Sequence, residues 1–99
     1  MNAAVFADTF YWVSLTNPDD AAHGKAVGFD VAEGRAPITT TEEVLTEFMT
    51  FFGGKGSVFR SKAVAVTRGI IADESIRVLP QTHETFLSAM PPVLTNVIA

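Results

Sequence analysis

The sequence predicts an α/β domain in which a short parallel sheet is covered by helices, and three observations carry that expectation. Residues 3–7 (Ala-Ala-Val-Phe-Ala) form an unbroken apolar run stopped by Asp8, the pattern of a strand buried on both faces. Residues 42–52 carry strong helical periodicity directly after a β-branched stretch at 38–40. The remaining segments alternate in the order β-α-α-β-α-α-β-α, which calls for parallel strands joined by right-handed helical crossovers.

Taken in order, Asp8 and Thr9 are good N-cap types for a short apolar helix at 10–15 that breaks at Asn17-Pro18. Asp19 or Asp20 can cap a second helix, 21–27, which carries His23 and Lys25; residues 28–37 hold its tail and a connection containing Gly34. Thr40-x-x-Glu43 reads as a capping box for the helix at 42–52. At about 100° per residue, Val44, Leu45, Phe48, Met49, Phe51 and Phe52 share one arc, and Glu43, Thr46, Glu47 and Thr50 the other. Glu47 stands at the border of the apolar arc, beside Phe51. Gly53-Gly54-Lys55-Gly56 stops this helix, and Ser57 can cap another running to about Arg68 with Phe59, Ala63, Val66 and Ile70 on one face. Residues 75–79 form a third strand ended by Pro80. A last helix at 82–90 buries Phe86, Leu87 and Met90 before Pro91-Pro92.

Composition narrows the function classes. The chain has 99 residues, 47% of them hydrophobic, a net charge of -4 and no cysteine. One small domain fits that length, and a large two-domain enzyme does not. At this size roughly 60–65% of the unfolded surface can be buried, so association would help a thin core. Without cysteine there is no disulfide scaffold, thiolate metal site or cysteine nucleophile, so chemistry falls to carboxylates, hydroxyls and two histidines. No apolar run approaches the roughly 20 residues of a membrane span, and no basic region precedes the first apolar stretch, so a cytoplasmic protein without membrane contact is expected. Seven Lys+Arg against 11 Asp+Glu disfavour a non-specific nucleic-acid coat but allow a small basic patch beside an acidic metal site.

Asp8 is the first candidate for chemistry, because open parallel sheets bind ligands at the carboxyl ends of their strands. A carboxylate there is costly to desolvate unless it caps a helix or holds a cation, and position alone allows both. Glu47 is the second candidate; alone it also reads as a solvated helix residue. If the helix after the second strand packs against the first strand, the two could converge on one hard divalent cation completed by water and phosphate oxygens.

The segments Val-Phe-Ala-Asp8-Thr-Phe-Tyr-Trp-Val-Ser-Leu-Thr-Asn, Asp20-Ala-Ala-His23-Gly-Lys-Ala and Ile38-Thr-Thr-Thr-Glu-Glu-Val-Leu-Thr-Glu47 resemble those of the PIN domains, including the VapC-type toxin ribonucleases. Ile76-Arg-Val-Leu-Pro and Thr85-Phe-Leu-Ser-Ala look like the family's third strand and following helix, so the resemblance covers about residues 3–90. It implies a three-layer α/β/α domain that cleaves RNA with three or four carboxylates holding Mg²⁺ or Mn²⁺. Asp8 and Glu47 match the first two by motif. The family's third acid follows the helix that corresponds to 82–90. This sequence instead continues Pro91-Pro92-Val-Leu-Thr-Asn96-Val-Ile-Ala99, with a neutral residue at Asn96. The expectation is therefore an incomplete PIN-like domain at 1–90 with a divergent tail at 91–99, lacking the C-terminal helix and strand in the manner of a truncation or frameshift. Weak or absent ribonuclease activity follows unless a second chain completes the cluster. Glu43 could add a third charge by rotating inward, while Thr9 and Thr40 could orient Asp8 or serve as caps. The partners implied are RNA, an antitoxin protein and a second copy in a homodimer or higher oligomer.

Other features read more plainly as structure. Gly53-Gly-Lys-Gly-Ser57 follows a helix and lacks the Lys-Ser/Thr pair of a phosphate loop, so it is a connector. His23 and His83 read as surface-helix residues, and Arg60, Lys62 and Arg68 as solvated cations that could also guide an RNA backbone. Phe10, Tyr11 and Trp12 read as core or interface groups rather than stacking platforms. Two rivals remain. One is an inactive PIN remnant serving as a dimerisation or partner-binding module; the other is a receiver-like domain phosphorylated on Asp8, which lacks the expected acidic pair.

Overall fold

Strands β1 (Val5–Ala7), β2 (Ile38–Thr41) and β3 (Ile76–Leu79) join β4 (Val97–Ile98) in a parallel sheet of order β3-β2-β1-β4. The computed structural model describes residues 4–32, 34–83 and 97–98. Helices α1 (Thr9–Thr16) and α2 (His23–Val31) connect β1 to β2, and α3 (Glu42–Gly53) and α4 (Ser57–Ala72) connect β2 to β3. Both crossovers step the same way across the sheet, so right-handed connections bring their helices to the same face. β4 lies on the far side of β1, and the strand order therefore reverses between β1 and β4.

The register sets Val5 beside Ile38 and Ile38 beside Ile76, with Thr40 beside Val78. Strand alternation puts these residues and Ala7 on the helix-covered face, and Phe6, Thr39 and Arg77 on the other. Against that first face packs a core of Trp12, Leu45, Phe48, Phe52, Ala63 and Ile70, all buried. Phe48 meets Phe52 edge-on at 5.4 Å, and Phe52 stacks on Phe59 at 5.4 Å, which locks α3 to α4. On the other flank Tyr11 sits edge-on to Trp12 (4.9 Å) and to Phe29 (5.9 Å), which joins α1 to α2.

Several expectations are corrected in detail. The first helix cap of the β2–α3 unit is Thr41, whose hydroxyl accepts from the Val44 N–H at 3.1 Å, and Thr40 stays in the strand. The reason is burial: Thr40 is needed inside the core, where its hydroxyl has two partners. The second helix starts at His23 rather than 21 and runs on to Val31. Asp20 does not cap it, because its Oδ1 accepts from the Ser14 hydroxyl (3.1 Å) and from the Ala22 N–H (2.9 Å) in a turn before the helix. His23 is half-buried, its Nδ1 on the Ser14 carbonyl at 2.8 Å, so it ties α2 to α1. Gly56, with φ of 103°, takes the cap position of α4 in place of Ser57, a backbone conformation that favours glycine. α4 continues to Ala72 because its buried stripe extends through Thr67 to Ile70. The carboxyl-terminal segment, read as lacking a strand, contributes β4, which pairs Phe6 with Val97 and Ala7 with Ile98. The helix expected at 82–90 lies outside the described residues beyond His83.

Two stability predictions arise here. Thr67 is buried beside a groove of about 340 Å³ between α3 and α4, and its hydroxyl has no hydrogen-bond partner among the described residues. Replacing it with the near-isosteric valine removes a desolvated polar atom, so Thr67→Val is expected to raise stability by up to about 1 kcal/mol in thermal or urea melts. A loss of stability would mean that the hydroxyl does have a partner.

The second concerns Tyr11, which donates to Asp30 Oδ1 at 3.3 Å. Burial first, then the Asp30 charge and this hydrogen bond, push its phenol well above the ordinary value of 10.0, with Arg35 opposing. The folded state then keeps a proton that the unfolded chain releases, so the stabilisation is complete below pH 10 and declines as pH rises further. Because the chain has one tyrosine, phenolate absorbance reports this group alone. It is expected to stay flat through pH 10 and to rise only as the chain unfolds; ionisation at pH 10 with circular dichroism unchanged would contradict the assignment.

Candidate functional site

Asp8 follows the last residue of β1 and caps α1. Its Oδ1 accepts from the Tyr11 N–H at 3.2 Å. Both readings of the sequence are thus compatible, since the cap uses one carboxylate oxygen and Oδ2 carries no hydrogen bond among the described residues. The backbone just before it is pinned. Thr40 Oγ1 donates to the Ala7 carbonyl at 2.9 Å and accepts from Trp12 Nε1 at 3.2 Å, a buried link between β2, β1 and α1. Asp8 therefore stands at the carboxyl end of the strand where the sheet order reverses, the place where open α/β sheets bind ligands.

Glu47 comes to the same corner from α3, which packs against α1. It is exposed, and its Oε2 accepts from the Thr9 hydroxyl at 2.9 Å, so its carboxylate is tied to the residue next to Asp8. Thr9 thus orients Glu47, and Thr40 positions the Asp8 backbone; neither hydroxyl bonds the Asp8 carboxylate. Glu43 is exposed, and no hydrogen bond among the described residues joins it to this corner. Among those residues no three Asp, Glu, His or Cys side chains gather. Two carboxylates and a hydroxyl are hard oxygen donors of the class that suits Mg²⁺ or Mn²⁺. The donor chemistry fits such a cation, and the donor count leaves most of its shell to water.

A groove of about 520 Å³ opens beside this corner, lined by Thr9, Phe10, Val13, Thr50 and Phe51 and by two carboxylates, Asp20 and Glu47, among others. Phe10 and Phe51 are 68% and 45% exposed, so of the two roles expected for Phe10 it does not fill that of a core group, and Phe51 is only partly within the buried arc. Tyr11 and Trp12 are buried, as expected of core groups. Periodicity gives no signal for Phe10, because residues 10–13 are apolar throughout and only the packing of α1 leaves that ring outside a helix otherwise almost wholly covered. The Lys55 ammonium lies over the Phe51 ring, 4.9 Å from its centroid, and Arg60 donates to the Gly53 carbonyl at 3.0 Å. Gly53–Ser57 is the expected connector, between α3 and α4.

No family model and no curated protein sequence matches the chain. Among solved structures it is similar to VapC20 of Mycobacterium tuberculosis, a sarcin-ricin-loop-cleaving toxin, with a TM-score of 0.67 over 88% of this chain and 68% of that one at 26% identity. The chain has the PIN-like fold. The PIN-like sheet explains why Asp8 and Glu47, 39 positions apart in sequence, reach one corner: the β1–α1 and β2–α3 junctions sit side by side because β1 and β2 pair. No helix among the described residues is long and apolar enough to cross a membrane.

Proposed function

We propose that this chain is a metal-dependent endoribonuclease of the PIN type, acting as a toxin on structured RNA in the cytoplasm. The observation that carries the reading is the pairing of Asp8, at the strand-order reversal, with a Glu47 carboxylate fastened to Thr9, in a fold similar to that of an RNA-cleaving toxin. Asp8 through Oδ2 and Glu47 through its carboxylate would hold Mg²⁺ or Mn²⁺. Bound there, the cation supplies Lewis acidity at a phosphate oxygen and a more acidic water. The chain's own residues do the rest: the α1 cap fixes the Asp8 rotamer, Thr9 holds the Glu47 carboxylate, and Thr40 anchors the Ala7 carbonyl before Asp8. With two anionic ligands, cation affinity is weak and turnover low, and a second copy of the chain or another subunit would raise both by adding acids. An antitoxin protein is the natural controlling partner on this reading.

The test incubates the pure chain with a sarcin-ricin stem-loop RNA in Mn²⁺ or Mg²⁺, beside an Asp8→Asn control. Cleavage by the parent alone supports the reading. Equal cleavage by both, or none by either, defeats it.

A further inference from the structure

We propose that the exposed face of α4 is a docking rail for the RNA phosphate backbone, with Lys62 and Arg68 as its main contacts and Lys55 and Arg60 extending it toward α3. The inference rests on the ribonuclease reading and extends it to how the substrate is held. Charge is divided unevenly along the chain. Four of the seven Lys+Arg and none of the 11 Asp+Glu fall in residues 48–72, so this quarter of the sequence carries +4 and the rest -8. A field divided in this way steers a polyanion to one side of the molecule. Helices α3 and α4 pack together, so the rail lies one helix away from Glu47. Two cations mark the join: Lys55 lies over the ring of Phe51, one turn beyond Glu47, and Arg60 gives one of its donors to the Gly53 carbonyl.

The helix is built for such a contact. Ala63, Thr67 and Ile70 are buried, whereas Arg60, Lys62 and Arg68 are exposed. At about 100° per residue, Ser61, Ala65 and Gly69 make one exposed stripe of small residues, with Arg68 along one side and Lys62 along the other. Long cationic side chains overtop so low a stripe, and a phosphate backbone can settle between them. Neither Lys62 nor Arg68 has a hydrogen bond or ion pair among the described residues. Three acids border the helix without claiming these cations. Glu42 lines the groove between α3 and α4 but accepts from the Gln81 N–H at 2.7 Å; Asp73 accepts from Ser75 and lies 4.0 Å from Arg35; Glu74 stands past the helix end. A membrane surface is a poorer match, because the large apolar groups exposed on α4 are Val58, Val64 and Ile71, with no aromatic ring to insert. A second copy docked through α4 about a two-fold axis would set like cations against one another. Phosphates answer the cations, and contacts of that kind position a nucleic acid without reading its sequence.

The experiment measures fluorescence anisotropy of a labelled sarcin-ricin stem-loop RNA with the full chain in EDTA over a series of KCl concentrations, where binding is read without cleavage. The double variant Lys62→Gln, Arg68→Gln is expected to bind about 10- to 100-fold more weakly at about 50 mM KCl. Its plot of log K against log salt should be shallower by about 1.5, the loss of two phosphate contacts. The charge-keeping double variant Lys62→Arg, Arg68→Lys should retain most of the affinity and the parent's slope. Both side chains are exposed, so circular dichroism and melting should be unchanged in all of these. Parent-like affinity and slope in the glutamine variant overturns the rail. So does a loss of affinity at unchanged slope, or an absence of RNA binding by the parent at low salt. If the glutamine variant keeps RNA binding but no longer floats with phosphatidylserine vesicles, the face belongs to a membrane surface and the proposal falls. The ribonuclease reading is separable, because cleavage by the parent with unchanged KM in the glutamine variant would retain the nuclease and remove the rail. RNA binding that depends on Lys62 and Arg68, with no cleavage in Mn²⁺, would do the reverse.

Discussion

Thr40→Val is expected to destabilise the chain by about 2–4 kcal/mol although it alters no volume of consequence. Thr40 is fully buried, and its hydroxyl is both acceptor for Trp12 Nε1–H and donor to the Ala7 carbonyl. Valine fills the space but strands the indole N–H in the core and deprives the carbonyl of a donor, and each buried unpaired group costs about 1–3 kcal/mol. A domain of this size has roughly 5–15 kcal/mol in total, so the loss is a large share. The chain has one tryptophan, so urea unfolding followed by its fluorescence reports the same site. Thr40→Ser, which keeps the hydroxyl and loses one methyl, should cost only about 1 kcal/mol. A valine variant as stable as the parent would show that these hydrogen bonds add nothing, and Ala7 would lose its role as an anchor for Asp8.

Thr40 also shows how far the sequence could be read. The β-branched run and the helix after it were plain from local pattern, and so was a threonine cap, yet Thr40 and Thr41 differ only in which one the core requires. That is decided by Trp12, 28 positions away, whose indole N–H needs a buried acceptor. The same limit explains Asp20. Its cap-like position was legible, but the Ser14 hydroxyl that claims it lies on α1. Asp8 and Glu47 were found because one stands at a strand end and the other at a fixed helical offset, both local signals. Thr9's attachment to Glu47 and the exposure of Phe10 depend on how α1 leans on α3, which periodicity in so short a helix does not encode. Likewise β4, two residues long, pairs through backbone groups that any sequence carries.

Asp8→Asn is expected to leave the fold standing and to remove cleavage. Asparagine is as good an N-cap as aspartate, so its side-chain oxygen keeps the Tyr11 N–H and stability should move by less than about 0.5 kcal/mol. What disappears is one of two negative charges available to a cation. Lewis-acid stabilisation of a phosphoryl transition state is worth several kcal/mol, and each 1.36 kcal/mol is about tenfold, so the rate should fall about a hundredfold or more. Glu47→Gln keeps an acceptor for Thr9 and should act in the same way. If the two carboxylates serve one cation, the double variant is expected to be little worse than either single one, because residues that act as a unit are not additive. Mn²⁺ titration by calorimetry without RNA provides an independent readout, with heat expected from the parent and not from Asp8→Asn. Full additivity of the two substitutions in the cleavage rate, or Mn²⁺ binding unchanged in both, would separate Asp8 from Glu47 and leave Asp8 as a helix cap alone.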